Sequence, residues 1–448
     1  MSTFITAFEI GSSKIKGAVG IVGDDKNLEV VALEEIPLSP GSVRHGCAVN
    51  VEEISMRINH IRQLLENNQR VHPRKIKRTY VSLGGRSIYS HPVEAIKNFN
   101  TETEITEAAL AEMKKQVRSN GANNKEILDV VPVNYNVDGK NVTVAVGTLG
   151  NQIRVKYNLI VCDPKIKKNL TRAFEKSDIE VIGGISRIRA IESLIMSRDQ
   201  KGLGSVLIDL GAETTTVAVY KDYALRYLAT IPMGSRLITK DLATLLNVSE
   251  DRAEELKKNY VNLSKKPDES DGLVADRTLD NIDYRLINNI ALARVSEIIH
   301  NVEYQINQSR LKPEELPEGI VVVGNGSKLN GIKELLHNKL HMKVSYPGIT
   351  EKIQFAYNLN TNLIDSLDVV AIMAIAAKNG IAKECTELPK TGGLEIEEFD
   401  SSENEQQVKP KEEPKPKKPK SPKKGWADSL TKGFIKLISP EEADFDEE

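Results

Sequence analysis

The sequence is poor in cysteine, in aromatic residues and in long apolar runs, and it carries almost no net charge. Its 3 cysteines lie far apart in 448 residues, which excludes a disulfide scaffold and a paired-cysteine metal site. No apolar run approaches the roughly 20 residues of a membrane-spanning helix, and the first residues show no signal-peptide pattern. The net charge of −2 excludes a generally basic nucleic-acid-binding protein. We therefore expect a cytoplasmic protein with, at most, a surface attachment to a membrane.

The composition divides the chain into a long globular part and a charged tail. Hydrophobic residues make up 40% of the sequence, and 448 residues suffice for two or more domains. Up to residue 386, short apolar runs alternate with helical patterns, which predicts an α/β fold. Residues 387–424 are first acidic and then rich in lysine and proline, which predicts a disordered linker. Residues 425–439 are apolar again, and an acidic tip follows at 440–448.

The hydrophobic pattern also predicts individual elements. The predicted strands are Thr3–Ile10, 15–22, 205–209, 215–220 and 319–323. The predicted helices are 51–69, Glu107–Ser119, Pro164–Lys176, 249–258 and 283–309, with a further helix from about residue 330.

Two segments at an offset of 200 residues share one pattern. Residues 8–19 and 208–219 each read as a strand, an acid, a glycine, small polar residues and a second strand, with Glu9 and Asp209 at the same position. The pattern predicts two similar hairpins in two similar half-molecules that face one another. Glycine-containing turns let backbone N–H groups approach phosphate oxygens, and the two acids suit a Mg²⁺ held through water. For either copy alone, an ordinary hairpin is the favoured alternative.

Two further features suit a nucleotide. An apolar strand ends in a Gly-Asn-Gly turn at 324–326, where the chain can bend closely around a ligand. Glu254 and Lys257 lie three residues apart on a predicted helix and share a face that could bracket a ribose or adenine. The alternatives are a plain strand–helix connection and a solvated charged helix, and spacing alone favours both alternatives.

The order of these segments resembles that of the actin-like ATPases, and within them the chain resembles the FtsA family of bacterial cell-division proteins. The resemblance covers residues 1 to about 386 and extends to the final helix. Residues 9–14 are similar to the family's first phosphate loop, and residues 253–257 to its nucleoside-binding helix. Residues 231–242 resemble the segment in which the family's chain enters a helix after the second phosphate loop. Three further segments, at 80–85, 130–135 and 146–150, resemble the family's extra subdomain.

The resemblance implies an α/β, actin-like fold of two duplicated, ribonuclease-H-like halves. The implied division is a first half at 1–79 and 164–202, an inserted extra subdomain at 80–163 and a second half at 203–386. ATP and Mg²⁺ are the implied cofactors, and we expect at most a weak ATPase; the sequence does not identify a catalytic base. The candidate nucleotide-binding residues are Glu9, Gly11, Ser12, Ser13, Lys14, Asp209, Gly211, Thr214, Thr215, Glu254, Lys257, Gly324, Asn325, Gly326 and Ser327. Glu9 and Asp209 are the candidate Mg²⁺ residues.

The sequence departs from the family in its second and third loops. Where relatives usually have glycines, this chain has Ala212, Glu213 and Asn325. Glu213 adds a negative charge where phosphate is expected. Three interpretations stay open: the side chain points away, it helps to hold Mg²⁺, or the site binds nucleotide weakly.

The residues at 425–439 predict a helix that lies on a membrane. On a helical wheel one face carries the apolar residues Trp426, Leu430, Phe434, Leu437 and Ile438. Ile435 is the one apolar residue off this face, and the only tryptophan suits the membrane interface. The alternative is a helix that docks back onto the body, which the long charged linker disfavours.

The resemblance implies a cell-division adaptor that binds ATP, polymerises like actin and tethers the FtsZ ring. Its expected partners are the FtsZ C-terminal peptide, further copies of itself, membrane lipids and other division proteins, with no nucleic acid. Its expected location is the cytoplasmic face of the membrane at the division site. The alternatives are an actin-superfamily small-molecule kinase and an actin-like ATPase of pilus assembly.

Overall fold

The computed structural model describes residues 2–122, 124–264, 273–274, 282–350, 353–356 and 366–389. The predicted linker beyond residue 389, the predicted membrane helix and the acidic tip lie outside the described residues.

The described elements alternate between strands and helices. The strands are β1 (Thr3–Ile10), β2 (Lys14–Val22), β3 (Leu28–Pro37), β4 (Val43–Arg44), β5 (Cys47–Ala48), β6 (Lys75–Ile76), β7 (Arg78–Leu83), β8 (Tyr89–Glu104), β9 (Glu126–Val137), β10 (Lys140–Val142), β11 (Leu149–Cys162), β12 (Glu180–Ser186), β13 (Ser205–Leu210), β14 (Thr215–Lys221), β15 (Ala224–Ile231), β16 (Leu273–Val274), β17 (Ile282–Asp283), β18 (Ile320–Val323), β19 (Val344–Ser345), β20 (Gln354–Phe355) and β21 (Thr386–Glu387). The helices are α1 (Val51–Glu66), α2 (Glu107–Ser119), α3 (Pro164–Lys176), α4 (Arg187–Ile195), α5 (Arg198–Leu203), α6 (Arg236–Leu246), α7 (Glu250–Tyr260), α8 (Tyr284–Gln308), α9 (Ile332–Leu340) and α10 (Leu367–Lys378).

Two sheets with the same local topology form the body of the molecule. The first sheet has the order β12-β7-β1-β2-β3-β20, and the second has the order β15-β14-β13-β18-β19. In the first, β1 pairs antiparallel with β2 and parallel with β7. In the second, β13 pairs antiparallel with β14 and parallel with β18. The shared arrangement confirms the two similar halves that the sequence repeat predicts, and it agrees with the fold that the resemblance implies.

Burial explains why the central strands read as continuous apolar runs rather than as alternating ones. From Ile5 to Ile10 every residue of β1 is buried, because helices cover both faces of the sheet. Gly17 on β2 allows α1 to pack closely, since a Cβ there would lie 2.6 Å from Ile61 Cγ2. Small residues in the central hairpin thus set the distance between helix and sheet.

The division of the chain differs from the one proposed from the sequence. Strand β7 (Arg78–Leu83) lies in the sheet of the first half, so the insertion begins after it rather than at residue 80. Helix α10 packs with the core of the first half, and β20 and β21 pair with β3 and β6. The C-terminal described residues therefore return to the first half. The pattern of α10 is apolar on nearly all sides, so it does not show which sheet the helix covers.

The insertion is a four-stranded sheet, β10-β9-β11-β8, with α2 and a small core of its own. Its sheet contacts β15 at the edge of the second half. The buried Asn158 Nδ2 donates to the carbonyl oxygens of Leu225 and Arg226 at 2.8 and 3.0 Å. The amide of Leu228 donates to Ser90 Oγ at 2.9 Å. The insertion is thereby attached to the second half, although it leaves the chain within the first.

Most predicted elements are present with small changes at their ends. Strand β1 and helices α2 and α3 have the predicted bounds, and α1 ends at Glu66 rather than at residue 69. The helix predicted from about residue 330 begins at Ile332, after Gly331 with φ of +80°. Among the described residues, no helix combines the length and the apolar character that crossing a membrane requires.

We expect Gly46→Ala to destabilise the first half more than Gly41→Ala. Both glycines have a left-handed φ, +82° and +88°, which costs an alanine about 1–2 kcal/mol. Only at Gly46 would a Cβ also meet backbone, 2.3 Å from Gly85 Cα, whereas at Gly41 the nearest atom lies 3.8 Å away on Arg44. The clash adds about 1–3 kcal/mol. Urea unfolding of the two variants measures the difference, and equal losses would contradict it.

Candidate functional site

The two repeated hairpins close with the same turn. The amide of Gly11 donates to Lys14 O at 3.0 Å, and the amide of Gly211 donates to Thr214 O at 2.9 Å. In each hairpin the acid lies at the end of the first strand, and both Glu9 and Asp209 are buried. The sequence repeat therefore corresponds to one local structure built twice.

The two acids meet around an arginine. Arg187, the first residue of α4, places Nη1 2.7 Å from Glu9 Oε1 and Nε 2.9 Å from Asp209 Oδ2. One guanidinium thus bridges the ends of β1 and β13, one from each half. The structure brings the two carboxylates together as the repeat predicts, with a cation of the protein between them.

A second ion pair extends this group into the interior. Lys16 Nζ lies 3.1 and 3.2 Å from the two carboxylate oxygens of Asp368, at the start of α10, and 3.6 Å from Glu9. Arg187 Nη1 also lies 3.3 Å from Asp368 Oδ2. We call these residues the cleft cluster: Glu9, Lys16, Arg187, Asp209 and Asp368. With every member ionised, three carboxylates face two cations, and the net charge is −1.

The ion pairs of the cleft cluster shift the pKa values of its members. Burial acts to raise the pKa of Asp368, but Lys16 and Arg187 outweigh it and hold that pKa below its ordinary value. Burial opposes the charge on Arg187, yet the three carboxylates around it raise the pKa of the guanidinium. For Glu9, burial dominates and raises the pKa. Arg187 therefore keeps its charge, whereas burial disfavours the ionised form of Glu9.

Two buried polar atoms of the cluster have no hydrogen-bond partner, Asp209 Oδ1 and Arg187 Nε. The Nε–Asp209 contact is thus an ion pair without hydrogen-bond alignment. Beside them lies a cavity of about 50 Å³, lined by both residues and by the two turns. The turn residues at this cavity that the sequence predicts are Gly11, Ser12, Gly211 and Thr214. A water at this cavity could donate to Asp209 Oδ1, whereas Arg187 Nε needs an acceptor.

Other predicted residues of the two turns are engaged elsewhere. The ammonium of Lys14 pairs with Glu35 on β3. The hydroxyl of Thr215 donates to Met233 O at 2.8 Å, and the Ser13 side chain is exposed. These three groups do not line the cavity, because the strand alternation and the turn direct them away from it.

Glu213 contacts the opposite half. Its Oε2 accepts the amide of His45 at 2.7 Å, and His45 Nδ1 lies 3.1 Å from Glu213 O. Arg236 Nη1 lies 4.0 Å from its other oxygen. Of the three interpretations left open, this geometry favours the one in which the side chain points away from Glu9 and Asp209.

The Glu213–His45 contact also divides the space between the halves. A second cavity of about 320 Å³ lies beside the small one, and Ala212 and Glu213 line both. Three cations, Arg44, Arg236 and Lys240, line the larger cavity together with the acids Glu213 and Glu250. A charged space therefore adjoins the two turns, and the Glu213 side chain lies at the boundary.

The third turn packs against the second. Gly324 has φ of +84°, and a Cβ there would lie 2.4 Å from Asp209 Oδ1 and 2.5 Å from Leu210 O. Ser327 Oγ donates to Gly324 O at 2.7 Å, while Asn325 is exposed. Glycine at position 324 is thus required by the close approach of the two turns.

Glu254 and Lys257 bind one another in the interior of the second half. Lys257 Nζ lies 2.6 Å from Glu254 Oε2 and 2.9 Å from Thr239 Oγ1 on α6. Burial lowers the pKa of Lys257, although Glu254 opposes this shift. Because Lys257 is buried, the pair is not the solvated face that spacing alone favours. Its observed role is to hold α7 on α6, and the nucleoside role stays a prediction.

The residues predicted to hold Mg²⁺ do not fit that ion. Mg²⁺ requires near-octahedral oxygen ligands and usually retains several waters. Here the guanidinium of Arg187 lies between Glu9 and Asp209 and occupies the position where such an ion would face both carboxylates. Within the described parts of the chain, no group of three or more His, Cys, Asp or Glu residues is arranged to hold a metal.

Sequence reasoning missed three members of the cleft cluster. Lys16 could have been found, because the hairpin register places it directly opposite Glu9. Arg187 and Asp368 carried no such signal, since they lie 178 and 359 residues from Glu9 in the chain. Only the packing of α4 and α10 against β1 brings them to the cluster.

We expect Asp368→Asn to cost about 3–5 kcal/mol of stability, because it leaves the buried Lys16 without its closest carboxylate. The matched control is Glu52→Gln, which breaks the exposed pair of Glu52 and Lys176 and costs below about 1 kcal/mol. Urea unfolding monitored by circular dichroism tests both variants. Equal urea midpoints for the two variants would show that the buried pair stabilises the protein no more than the exposed pair.

Comparisons with known proteins agree with this architecture. A family model described as "Cell division protein FtsA" matches residues 206–360, and one described as "SHS2 domain inserted in FTSA" matches residues 85–161. The chain is 29% identical to the cell division protein FtsA of Porphyromonas gingivalis over 341 residues, 74% of this chain and 69% of that protein. It is 29% identical to the same protein of Neisseria meningitidis over 344 residues, 74% and 80% of the two chains. It is 28% identical to the cell division protein FtsA of Bacillus subtilis over 347 residues, which are 75% of this chain and 77% of that protein.

Among solved structures, the "PilM-PilN type IV pilus biogenesis complex" contains a similar fold. The TM-score is 0.61 at 16% identity, over 84% of this chain and 98% of that one. At this identity the likeness concerns the fold alone. The two family models match the second half and the insertion, and the curated relatives span both halves. On this evidence the chain belongs to the FtsA family of cell-division proteins.

Proposed function

We propose that this chain is an adaptor of cell division that binds ATP between its halves and links the FtsZ ring to the membrane. Membership of the FtsA family supports the role in division. One observation supports nucleotide binding above the others: the two glycine turns of the duplicated hairpins meet at one cleft, beside Arg187 and two unsatisfied polar atoms. Backbone amides and a guanidinium are the groups that bind phosphate.

Entry of a nucleotide requires the cleft to change. The cavity at the turns is separated from the larger cavity by Glu213, which lines both. Rotation of Glu213 away from His45 would join the two cavities. The binding energy of the nucleotide must therefore offset the loss of a charged hydrogen bond.

We expect hydrolysis to be weak at most. The carboxylates of the cleft cluster are each paired with Arg187 or Lys16, so none of them is available as a general base in this arrangement. Glu213 is held by His45. The proposed role of ATP is thus to set the conformation of the body and its self-association, rather than to drive repeated turnover.

The proposed membrane attachment rests on the sequence of residues 425–439. A single helix of this length inserts few apolar side chains, each contributing roughly 1–2 kcal/mol after partial immersion. Copies joined in a filament would bind the membrane through many helices at once, so the filament would attach more strongly than a single copy without any new contact. This reasoning connects self-association of the body to attachment, with the FtsZ C-terminal peptide as the partner that family membership suggests.

We expect Glu213→Gly to tighten ATP binding about tenfold and to lower the thermal midpoint of the nucleotide-free protein. The change removes a carboxylate from the boundary between the cavities and a charged hydrogen bond worth about 1.5–3 kcal/mol. Titration with a fluorescent ATP analogue measures the affinity.

Glu213→Gln is the matched control for this variant. Glutamine keeps an acceptor for the His45 amide and loses the charge, so it should show a smaller gain in affinity and a smaller loss of stability. A folded Glu213→Gly protein that binds ATP no better than the unaltered chain would contradict the proposed role of this side chain.

We expect Phe434→Ser to abolish most co-sedimentation with vesicles of phosphatidylglycerol and phosphatidylcholine. Phe434 lies at the centre of the predicted apolar face, whereas Ile435 lies off it, so Ile435→Ser should retain binding. Deletion of residues 425–448 should remove binding altogether. Vesicle binding that survives this deletion would exclude the tail as the anchor.

A further inference from the structure

We propose that the acidic segment at residues 394–405 of this chain docks into a cavity at the end of the first sheet that lies opposite the cleft. This cavity measures about 720 Å³ and is lined by the turn between β2 and β3 and by the ends of α4 and α10 far from the cleft cluster. We call it the base cavity. It is separate from the cleft, so docking there does not depend on the proposed nucleotide binding.

The charges around the base cavity favour an anionic ligand. Five cations line it: Lys26, Arg189, Arg198, Lys201 and Lys378. The acids in the lining are Asp25 and Glu192, and Glu192 pairs with both Arg189 and Lys201. Asp129 of the insertion lies 3.4 Å from Arg189 Nε and adds a third acid. Five cations against three acids leave a charge of +2, which attracts an acidic segment.

The base cavity also presents partly exposed apolar side chains. Ile353, Ala374 and Ile375 line it and pack on the core of the first half, yet each is only half-buried. Tyr223 of the second half lines it too, and its side chain is 57% exposed. Apolar surface surrounded by charged residues is typical of a site that binds another segment of protein.

The sequence beyond the described residues has the complementary pattern. Residues 394–405 contain no base and six acids: Glu395, Glu397, Glu398, Asp400, Glu403 and Glu405. Leu394, Ile396 and Phe399 lie among these acids. In the docked segment the carboxylates pair with the cations of the lining, and the apolar side chains cover its half-buried residues.

The course of the described chain brings this segment within reach. A Cβ at Gly380 would lie 3.7 Å from Lys26 Nζ, at the base cavity, and Glu387 pairs with Lys75 on β6. Seven residues therefore suffice for the chain to run from the cavity to β6. Leu394 lies seven residues beyond Glu387, so a segment that begins there is long enough to return to the cavity.

The acidic tip of the chain is the alternative occupant. It also carries six acids, but Glu441 lies 47 residues beyond Leu394. Because the entropic cost of closing a loop rises with its length, the nearer segment is favoured. Docking of residues 394–405 would leave residues 406–424 to connect the body to the proposed membrane helix.

The first test is carbodiimide cross-linking of the full-length protein, which joins a lysine to a carboxylate in contact with it. We expect cross-links from residues 394–405 to Lys26 or Lys378. An equal mixture of isotopically heavy and light protein shows whether both partners belong to one chain. Cross-links mainly between heavy and light chains would assign the cavity to a second copy. Either that result or cross-links confined to the lysines at 409–424 would overturn the proposal.

The second test measures whether the segment competes with its own peptide. In one variant the six acids of residues 394–405 become Gln or Asn, and in the matched control the six acids of residues 441–448 are changed likewise. A fluorescently labelled peptide of residues 394–405 should bind the first variant about tenfold more tightly than the unaltered chain, because the chain's own segment no longer competes. The control should bind it like the unaltered chain.

Three outcomes of this titration contradict the proposal. Equal affinity for all three proteins would show that the segment does not occupy the site in its own chain. Absence of binding to any of them would show that the segment has no site on the body. A gain of affinity in the control that equals the gain in the first variant would make the acidic tip the occupant.

The third test locates the site on the body. In the variant with residues 394–405 neutralised, Lys26→Glu should weaken binding of the labelled peptide about five- to tenfold. The matched control is Lys339→Glu on α9, which makes the same change of charge at another exposed position and should alter the affinity less than about twofold. Equal losses in the two variants would mean that the peptide responds only to net charge, and docking in the base cavity would then be wrong.

Discussion

The ion pairs of Arg187 with Glu9 and Asp209 are the interaction on which the arrangement of the two halves depends. Each carboxylate ends the first strand of one hairpin, and burying it unpaired would cost several kcal/mol. The guanidinium can serve both only when the ends of β1 and β13 lie on either side of α4. The same guanidinium therefore holds the two halves together and neutralises both carboxylates.

The contact of Glu213 with His45 adds a second interaction across the same cleft. Arg187 neutralises the acid of each hairpin, whereas Glu213 lies between the small cavity and the larger one. The two contacts therefore join the halves at two neighbouring places.

The insertion and the C-terminal described residues each connect distant parts of the body. The insertion leaves the first half and attaches to β15 of the second through Asn158. Helix α10 returns to the first half and delivers Asp368 to the cluster. The chain beyond α10 thus departs from the first half, which is where the linker to the proposed membrane helix begins.

Local sequence determined the hairpins, most helices and the presence of a duplicated fold, because strand alternation, helical periodicity and turn chemistry act over a few residues. The repeat alone identified Glu9 and Asp209 as partners in one cleft. Lys16 was not identified, although the hairpin register would have been enough to add it. The local sequence did not reveal that Arg187 and Asp368 complete the cluster, that Glu213 contacts His45, or that α10 belongs to the first half. Those outcomes were decided by tertiary packing, since the pairs Arg187–Glu9, Glu213–His45 and Asp368–Lys16 each join residues more than 150 positions apart whose own neighbourhoods carry no sign of the partner.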